Sequence, residues 1–207
     1  TLYKVWFDVE EGNLVHILKD IKGNQLGEEL KTIKAYSIGG FLDIYNFLHR
    51  AKEGISFGEE LLKEIRQEKN YLAEGNTLKA LGNLYLTTAR LKEAEEKYSK
   101  ALEIYEEVAE RLGEGNTLQS LGDLYLRTAR QKEAEEKYSK ALEIYEEIEE
   151  RLGEGNTLQS LGDLYLRTDR LKEAEEKCSK ALEIYEGIGA RLGEGNTLQS
   201  LGDLYLR

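Results

Sequence analysis

Apolar and small residues recur three and four positions apart through most of the chain, a spacing that is typical of amphipathic helices. Between residues 115 and 127 this spacing predicts a helix whose buried face carries Leu118, Leu121, Gly122 and Tyr125. At Gly122 the missing side chain would let the backbone of a partner helix come close. A second apolar stripe from Ala134 to Ile148 predicts a second helix. We expect a tight turn at Thr128-Ala129-Arg130, and we expect the second helix to end at Leu152-Gly153, where glycine can adopt the left-handed cap.

The two-helix pattern is repeated along the chain with a period of 40 residues. Residues 115–154 and 155–194 are identical at 34 of 40 positions, and residues 75–114 match residues 115–154 at 33 of 40. A partial copy occupies residues 195–207, and a divergent copy with apolar residues at matching positions occupies residues 35–74. Self-similarity at a fixed period indicates a solenoid, in which each unit buries its apolar face against its neighbours.

Residues 1–34 do not show the repeat. Leu2, Val5, Trp6 and Val9 could form one face of a helix, and a second helix could follow the break at Glu11-Gly12-Asn13. The alternation of Tyr3, Val5, Phe7 and Val9 equally fits a hairpin. We favour helices, as an N-terminal cap or the end of a preceding helical region.

The composition removes several classes of protein. The chain has 207 residues, a net charge of −11, one Cys, no Pro and no Met. A single Cys argues against a disulfide scaffold and a cysteine zinc site, and it fits a reducing compartment. The negative charge argues against nucleic acid or an anionic membrane as the main partner. A soluble, cytoplasmic protein is therefore expected, and the missing Met suggests an internal fragment.

The repeat resembles a known family. The pattern L-x-x-L-G-x-x-Y, followed by A-x-x-x-Y-x-x-A at Ala134, Tyr138 and Ala141, is similar to the tetratricopeptide repeat, abbreviated TPR. The chain departs from that pattern in lacking the closing Pro and in its 40-residue period, as in the repeats of kinesin light chains and Pins-type scaffolds. The resemblance implies an all-α, right-handed α-solenoid whose first helices line a concave groove, and it implies a protein-binding role.

A polar stripe lies opposite the apolar face of each first helix, and by the same resemblance it lines the groove. Amide groups of Asn and Gln can bond the backbone of an extended peptide, and Arg can hold a carboxylate with two hydrogen bonds. The sequence therefore predicts a peptide site on this polar stripe, with no catalytic residue, cofactor or metal. Its residues are Asn76, Lys79, Asn83, Asn116, Gln119, Asp123, Arg127, Asn156, Gln159, Asp163, Arg167, Asn196, Gln199 and Asp203.

A simpler interpretation of the same residues stays open. Asp123 and Arg127, four positions apart, could pair with each other on a solvated helix face. Asn116, near the start of the repeat, could be a helix cap. The changes between copies favour a binding face slightly, because Lys79 and Asn83 give one end of the groove a different chemistry from that of the later copies.

No set of residues predicts catalysis. His16 and His49 stand 33 residues apart without further metal ligands at suitable spacing, so both are interpreted as ordinary helix residues. Cys178 occupies a core-facing position and is interpreted as a small buried side chain. Gly39-Gly40 and Gly113-Glu114-Gly115 lack the Lys-Ser/Thr of a phosphate loop, and they are interpreted as close packing and helix termination.

Three hypotheses are consistent with these patterns. The first is a non-enzymatic interaction module that binds a peptide or helix of another protein in the groove. The second is the sensor arm of a larger NTPase or transcription regulator. The third is self-assembly through the last half-repeat, because the apolar face of Leu198, Leu201 and Tyr205 has no second helix to cover it in the sequence.

Overall fold

The computed structural model describes residues 28–206, and within this range the protein consists of nine α-helices and no strand. The chain divides into two compact units on either side of the Glu110-Arg111 bond. The first unit contains α1 (Glu28–Phe47), α2 (Ala51–Glu68), α3 (Tyr71–Thr87) and α4 (Leu91–Glu107). The second contains α5 (Arg111–Arg127), α6 (Gln131–Glu147), α7 (Arg151–Arg167), α8 (Leu171–Ile188) and α9 (Arg191–Tyr205). Within each unit consecutive helices pack against each other, which confirms the predicted all-α solenoid.

The helices and hairpin considered for residues 1–34 lie mostly outside the described residues. Residues 28–34 belong to α1, which runs without interruption into the segment assigned to the divergent copy.

The turn between the two helices of a repeat lies where the sequence predicts it. In the second unit α5 ends at Arg127, and the middle turn residue Ala129 has a left-handed φ of 58°. The guanidinium of Arg130 lies 4.0 Å from the centre of the Tyr125 ring, and it also bonds Glu133 at 2.8 Å. A cation over an aromatic face stabilises the pair by about 0.5–1 kcal/mol at an exposed site. The same Arg-over-Tyr contact recurs at Arg170 and Tyr165, also at 4.0 Å.

The predicted end of the second helix is wrong. Helix α6 ends at Glu147, and Leu152 and Gly153 lie in the first turn of α7. The left-handed residue between the two helices is Glu149, with a φ of 56°, so the cap is not a glycine. Gly113-Glu114-Gly115 likewise lies inside the first turns of α5, which corrects its interpretation as a helix end.

These glycines are required for another reason, the burial of tyrosine rings. A Cβ atom added at Gly153 would lie 2.5 Å from Cε1 of the Tyr145 ring, and one at Gly115 would lie 3.0 Å from the same atom. At Gly122 the added atom would lie 2.5 Å from the ring of Tyr138. The nearest partner at Gly122 is therefore a side chain, while at the equivalent Gly162 the backbone atoms Ala174 O and Cys178 N of the partner helix lie 3.5 Å from the added Cβ atom. Both rings are fully buried.

The first unit uses the same construction. Tyr98 lies against Gly82 and Tyr105 against Gly75, at 2.5 and 3.0 Å from the added Cβ atoms. In the divergent pair α1 and α2, an edge-to-face contact of Phe41 with Phe57, with ring centres 5.5 Å apart, replaces part of this packing.

Candidate functional site

The polar stripe lies on the first helices of the repeats, on α3 in the first unit and on α5, α7 and α9 in the second. Its side chains are partly buried on α3, α5 and α7, apart from the exposed Arg127 and Arg167. On α9 the side chains of Asn196, Gln199 and Asp203 are exposed. The stripe is therefore less solvated than a plain outer helix face, since most of its residues are held by groups beneath them.

Tyrosine hydroxyls hold the amides of the stripe. Tyr145 donates to Oδ1 of Asn116 at 2.8 Å and to Oε1 of Gln119 at 3.3 Å. In the next repeat Tyr185 makes the same two bonds, to Asn156 at 2.7 Å and to Gln159 at 3.2 Å. Because each hydroxyl bonds amide oxygens, the NH2 groups of these amides are not used in these bonds.

A second set of hydroxyls holds the acidic position of the stripe. Tyr138 donates to Oδ1 of Asp123 at 2.6 Å. In the next repeat Cys178 replaces that tyrosine, and Ser200 of α9 donates to Asp163 at 2.7 Å instead. Sequence reasoning assigned the tyrosines only to the core. The available signal was the use of Tyr at fully buried positions where Phe would bury as much surface without a hydroxyl.

Burial raises the pKa of both acidic groups. The pKa of Asp123 is raised by desolvation, against the hydrogen bond from Tyr138 and the positive charge of Arg127, which lower it. The pKa of Asp163 is raised for the same first reason, with Ser200 and Arg167 opposing the rise. The pKa of Tyr185 rises to about 12, mainly through its own burial. The tyrosines therefore remain protonated donors at neutral pH.

The simpler interpretation of the stripe is wrong in both of its parts. Arg127 lies close enough to Asp123 to lower its pKa, but it forms no ion pair or hydrogen bond with any residue in the described part of the chain. The same holds for Arg167 and Asp163. Asn116 is not a cap, because α5 begins five residues earlier, at Arg111. Both guanidinium groups point into solvent with their donors available.

A cleft of about 370 Å³ opens between α7 and α9 in the second unit. It brings together six predicted residues, and Leu166 and Ser200 complete its lining. The six are Gln159, Asp163, Arg167, Asn196, Gln199 and Asp203. Carboxylates, amides and one cation therefore converge here within reach of a single extended chain.

The first unit carries its own part of the stripe, on α3. Tyr105 donates to Oδ1 of Asn76 at 2.5 Å, and Tyr98 donates to Oδ1 of Asn83 at 2.8 Å. Asn83 in turn donates to Asp43 of α1 at 3.3 Å. The Nδ2 atom of Asn76 is buried without a hydrogen-bond partner, and Lys79 lies half-buried beside it.

The remaining candidates for chemistry have structural explanations. His49 has a φ of 58° in the turn between α1 and α2, so it is not a helix residue as predicted, while His16 lies outside the described residues. The Cys178 side chain is buried, as predicted, and burial raises its pKa to about 11. Residues 28–206 contain no group of three or more His, Cys, Asp or Glu side chains that could hold a metal ion. None of the helices in this range combines the length and the apolar character needed to cross a membrane.

Comparisons with solved structures agree with a fold built from helical repeats. No curated protein sequence matches the chain. Among solved structures the fold is similar to BtubC (BKLC) from P. vanneervenii, with 16% identity and a TM-score of 0.75 over 95% of this chain and 84% of that one. It is also similar to a signal transduction ATPase with a tetratricopeptide repeat sensor from Pyrococcus horikoshii, with 17% identity and a TM-score of 0.75. That match covers 96% of this chain but only 31% of the ATPase. A kinesin light chain with nearly identical TPR-like repeats, from Podosopora anserina, matches 86% of this chain and 90% of its own, with 14% identity and a TM-score of 0.65.

Sequence profiles identify the family directly. Tetratricopeptide repeat profiles match residues 43–107, 90–147 and 156–187, which together make up more than half of the chain. The chain belongs to the tetratricopeptide repeat family.

Proposed function

We propose that the protein is a non-catalytic interaction module, and that the polar stripe of its second unit binds an extended peptide segment of a partner protein. The observation that carries this proposal is the cleft between α7 and α9, in which six residues of the stripe converge, among them Arg167 with its unpaired guanidinium. The bonds from the tyrosine hydroxyls hold these amides in fixed positions, which favours binding of an ordered ligand.

The arrangement of donors fits a peptide backbone. The hydroxyls of Tyr145 and Tyr185 fix the amide side chains of two successive repeats in the same orientation. Fixed amides lose little conformational entropy when a ligand binds, so each hydrogen bond to a peptide carbonyl costs less to form. The repeat provides the same donors again on the next first helix, which suits a ligand that is itself a chain of repeating carbonyl groups.

The two free guanidinium groups point to an acidic ligand. Arg127 and Arg167 occupy the same position in consecutive repeats, and each can hold a carboxylate with two parallel hydrogen bonds. Asp123 and Asp163 lie close by but are engaged by Tyr138 and Ser200. We therefore expect a peptide with Asp, Glu or a C-terminal carboxylate in the segment that lies along α5 and α7.

In the first unit we propose that Asn76, Lys79 and Asn83 form a separate contact patch of the same kind. Lys79 adds one positive charge to this patch, where the later repeats carry the neutral Gln119 and Gln159.

A second candidate function is a sensor arm within a larger protein. The similarity to the repeat-containing ATPase from Pyrococcus horikoshii, in which the repeats are described as a sensor, favours it. In that case the same polar stripe would bind the signal, and the bound state would be passed on to another domain of the larger protein.

A displayed library of random peptides tests the proposal. The library is selected on the full chain and then measured against an Arg127→Gln, Arg167→Gln variant. We expect this variant to bind the selected peptides about tenfold more weakly or worse, since charge-assisted hydrogen bonds to two carboxylates are lost.

The matched control is a Lys140→Gln, Lys180→Gln variant, which makes the same change of net charge on the outer helices α6 and α8. It should bind as the unmodified chain does. Equal losses in the two variants, or no loss in the arginine variant, would contradict a site on the polar stripe.

A further inference from the structure

One ion pair distinguishes two near-identical helix pairs of the second unit. In the pair of α5 and α6, Arg111 bonds Glu114 on its own helix at 2.6 Å and also bonds Glu147 at the end of α6. In the pair of α7 and α8, the equivalent Arg151 bonds Glu154 at 2.5 Å and forms no second ion pair among the described residues. One terminal nitrogen of this guanidinium therefore has no carboxylate partner.

The missing carboxylate is due to a glycine. Gly187, at the end of α8, stands where the preceding copy has Glu147. No atom lies within 4 Å of a Cβ atom added at Gly187, so the place of the absent side chain is open. Gly189 and Ala190 also stand where the preceding copy has Glu. Three of the six differences between these two copies thus remove a carboxylate from the same end of α8.

A cleft leads to Arg151 between α6, α7 and α8, which all belong to complete repeats. It consists of a cavity of about 180 Å³ and a neighbouring opening of about 460 Å³ at the end of α6. Glu146, Arg151 and Glu154 line both parts. The other lining residues are Leu142, Leu158, Lys177, Lys180, Glu183 and Ile184 in the cavity and Glu149 in the opening.

This outer cleft and the polar stripe lie on opposite sides of α7. At 100° per residue, Arg151, Glu154 and Leu158 centre roughly 150° around the helix axis from the stripe residues of the same helix. A ligand in the outer cleft is therefore separate from one on the polar stripe.

The charges in the cleft leave a place for one more anion. Lys180 donates to Glu176 at 2.8 Å, and this bond raises its pKa. The charges of Glu146 and Glu183 raise the same pKa further, so both carboxylates lie near a cation that is already present. Lys177 forms only a long ion pair, at 4.0 Å from Glu176. An incoming carboxylate would meet Lys177 and the free guanidinium nitrogen.

Apolar side chains border the same place. Leu152 directly follows Arg151 and is 47% exposed, and Ile188 directly follows Gly187 and is 43% exposed. Exposed branched side chains beside a cation suit a ligand in which an apolar residue is next to a carboxylate.

We propose that the outer cleft binds a segment of a partner protein that carries Glu or Asp next to branched apolar residues. The carboxylate takes the place that Glu147 has in the preceding copy, and it bonds the free nitrogen of Arg151. The apolar residues of the segment cover Leu152 and Ile188. This site is independent of the proposed peptide site, since no residue of the polar stripe takes part.

The decisive variant is Gly187→Glu, which supplies the carboxylate from the protein itself. It copies the arrangement of Arg111 and Glu147, so its side chain should pair with Arg151 and close the site. Because position 187 has open space and Gly is a poor helix former, the helix content measured by circular dichroism should be unchanged or higher. Loss of binding in this variant is then not a result of unfolding.

A subtractive selection tests the proposal. A displayed library of random peptides is first depleted on Gly187→Glu and then selected on the unmodified chain. Depletion removes peptides that bind any surface shared by the two proteins, including the polar stripe. We expect the surviving peptides to carry Asp or Glu beside apolar residues. Each should bind Gly187→Glu and Arg151→Gln about tenfold more weakly or worse, because a charge-assisted hydrogen bond is lost.

Matched variants separate this site from other effects. Ser179→Glu makes the same change of net charge at an exposed position of α8 that does not line the cleft, and Gly187→Ala changes the same residue without a charge. Both should bind the selected peptides normally, as should the Arg127→Gln, Arg167→Gln variant. The proposal is overturned if no peptide survives the depletion, if the survivors lack acidic residues, if Arg151→Gln binds them normally, or if any of the three control variants loses them.

Discussion

Replacing Gly122 with Ala changes one methyl group at the most crowded point of a repeat. The added Cβ atom would lie 2.5 Å from Cε1 and 2.6 Å from Cδ1 of the Tyr138 ring. The ring cannot move aside easily, because its side chain is fully buried and its hydroxyl is bonded to Asp123 at 2.6 Å. The same substitution at Gly202, in an identical stretch of sequence, meets no atom within 4 Å. The two sites therefore differ in the tyrosine ring and in their position, since Gly122 lies inside α5 and Gly202 lies in the last turn of α9.

The change in the free energy of unfolding that each substitution causes is set by two opposing effects. Ala is favoured over Gly inside a helix by about 1 kcal/mol, and this gain is smaller at Gly202, in the last turn of α9. An extra methyl group in a tightly packed core costs about 1–3 kcal/mol through displaced side chains and backbone. We expect Gly202→Ala to be neutral or slightly stabilising. Gly122→Ala should be less stable than Gly202→Ala by about 1–2 kcal/mol, since only Gly122→Ala crowds a buried ring.

Urea unfolding followed by circular dichroism measures the difference. Repeat arrays can unfold in stages, so the midpoints are compared at the same helical signal and the slopes are checked for equality. Gly187→Ala, in the last turn of α8 and without a close neighbour, serves as the control for helix propensity alone. If Gly122→Ala were as stable as Gly187→Ala, the tyrosine ring would not be held as described, and the packing role assigned to the glycines would be refuted.

Three further predictions address the tyrosine bonds, the acidic positions and the thiol. Tyr145→Phe removes a hydroxyl that is bonded to two amide oxygens. We expect the free energy of unfolding in urea to fall by about 0.5–1.5 kcal/mol. No change would show that these bonds are not formed. Asp123→Asn with Asp163→Asn should raise stability at pH 7. Their pKa values are higher in the folded than in the unfolded chain, so the wild type loses stability as the pH rises through the raised values, and the advantage of the variant should vanish below the ordinary pKa of about 3.9. Cys178, buried and with a pKa of about 11, should react with a thiol reagent such as dithionitrobenzoate only as urea unfolds the chain, and rapid labelling of the native protein would contradict its burial.

The sequence predicts the helices well because their stripes are set by burial. Leu118, Leu121 and Tyr125 are all at most 7% exposed, and a three-and-four spacing permits no other element. It fails at Gly153, because glycine after a helical stretch is usually a left-handed cap. Here the glycine instead makes room for a ring from the preceding helix, and a non-glycine residue, Glu149, takes the left-handed turn. Only the packing of one helix on the next reveals that requirement.

The candidate site, like the fold, could be predicted from the sequence only in part. The residue types of the polar stripe and its position opposite the apolar face can be derived from helix geometry. The bonds that tie Asn116 to Tyr145, 29 residues apart, cannot, because no local pattern states which buried hydroxyl lies beneath which amide. The cleft beside Arg167 also depends on the spacing of α7 and α9, which is a property of the packed structure.

The sandwich of one tyrosine between two glycines has a consequence for how such a chain can evolve. Tyr145 contacts Gly115 on α5 and Gly153 on α7, and Tyr185 makes the equivalent contacts with Gly155 on α7 and Gly193 on α9. Both of these junctions in the second unit are therefore built from the same parts. Unequal crossing-over between near-identical copies of the coding sequence would add or remove whole multiples of 40 residues, and each product would still form native junctions. Array length can thus change in a single genetic event without a stage of defective folding, while the exposed positions of each copy diverge afterwards.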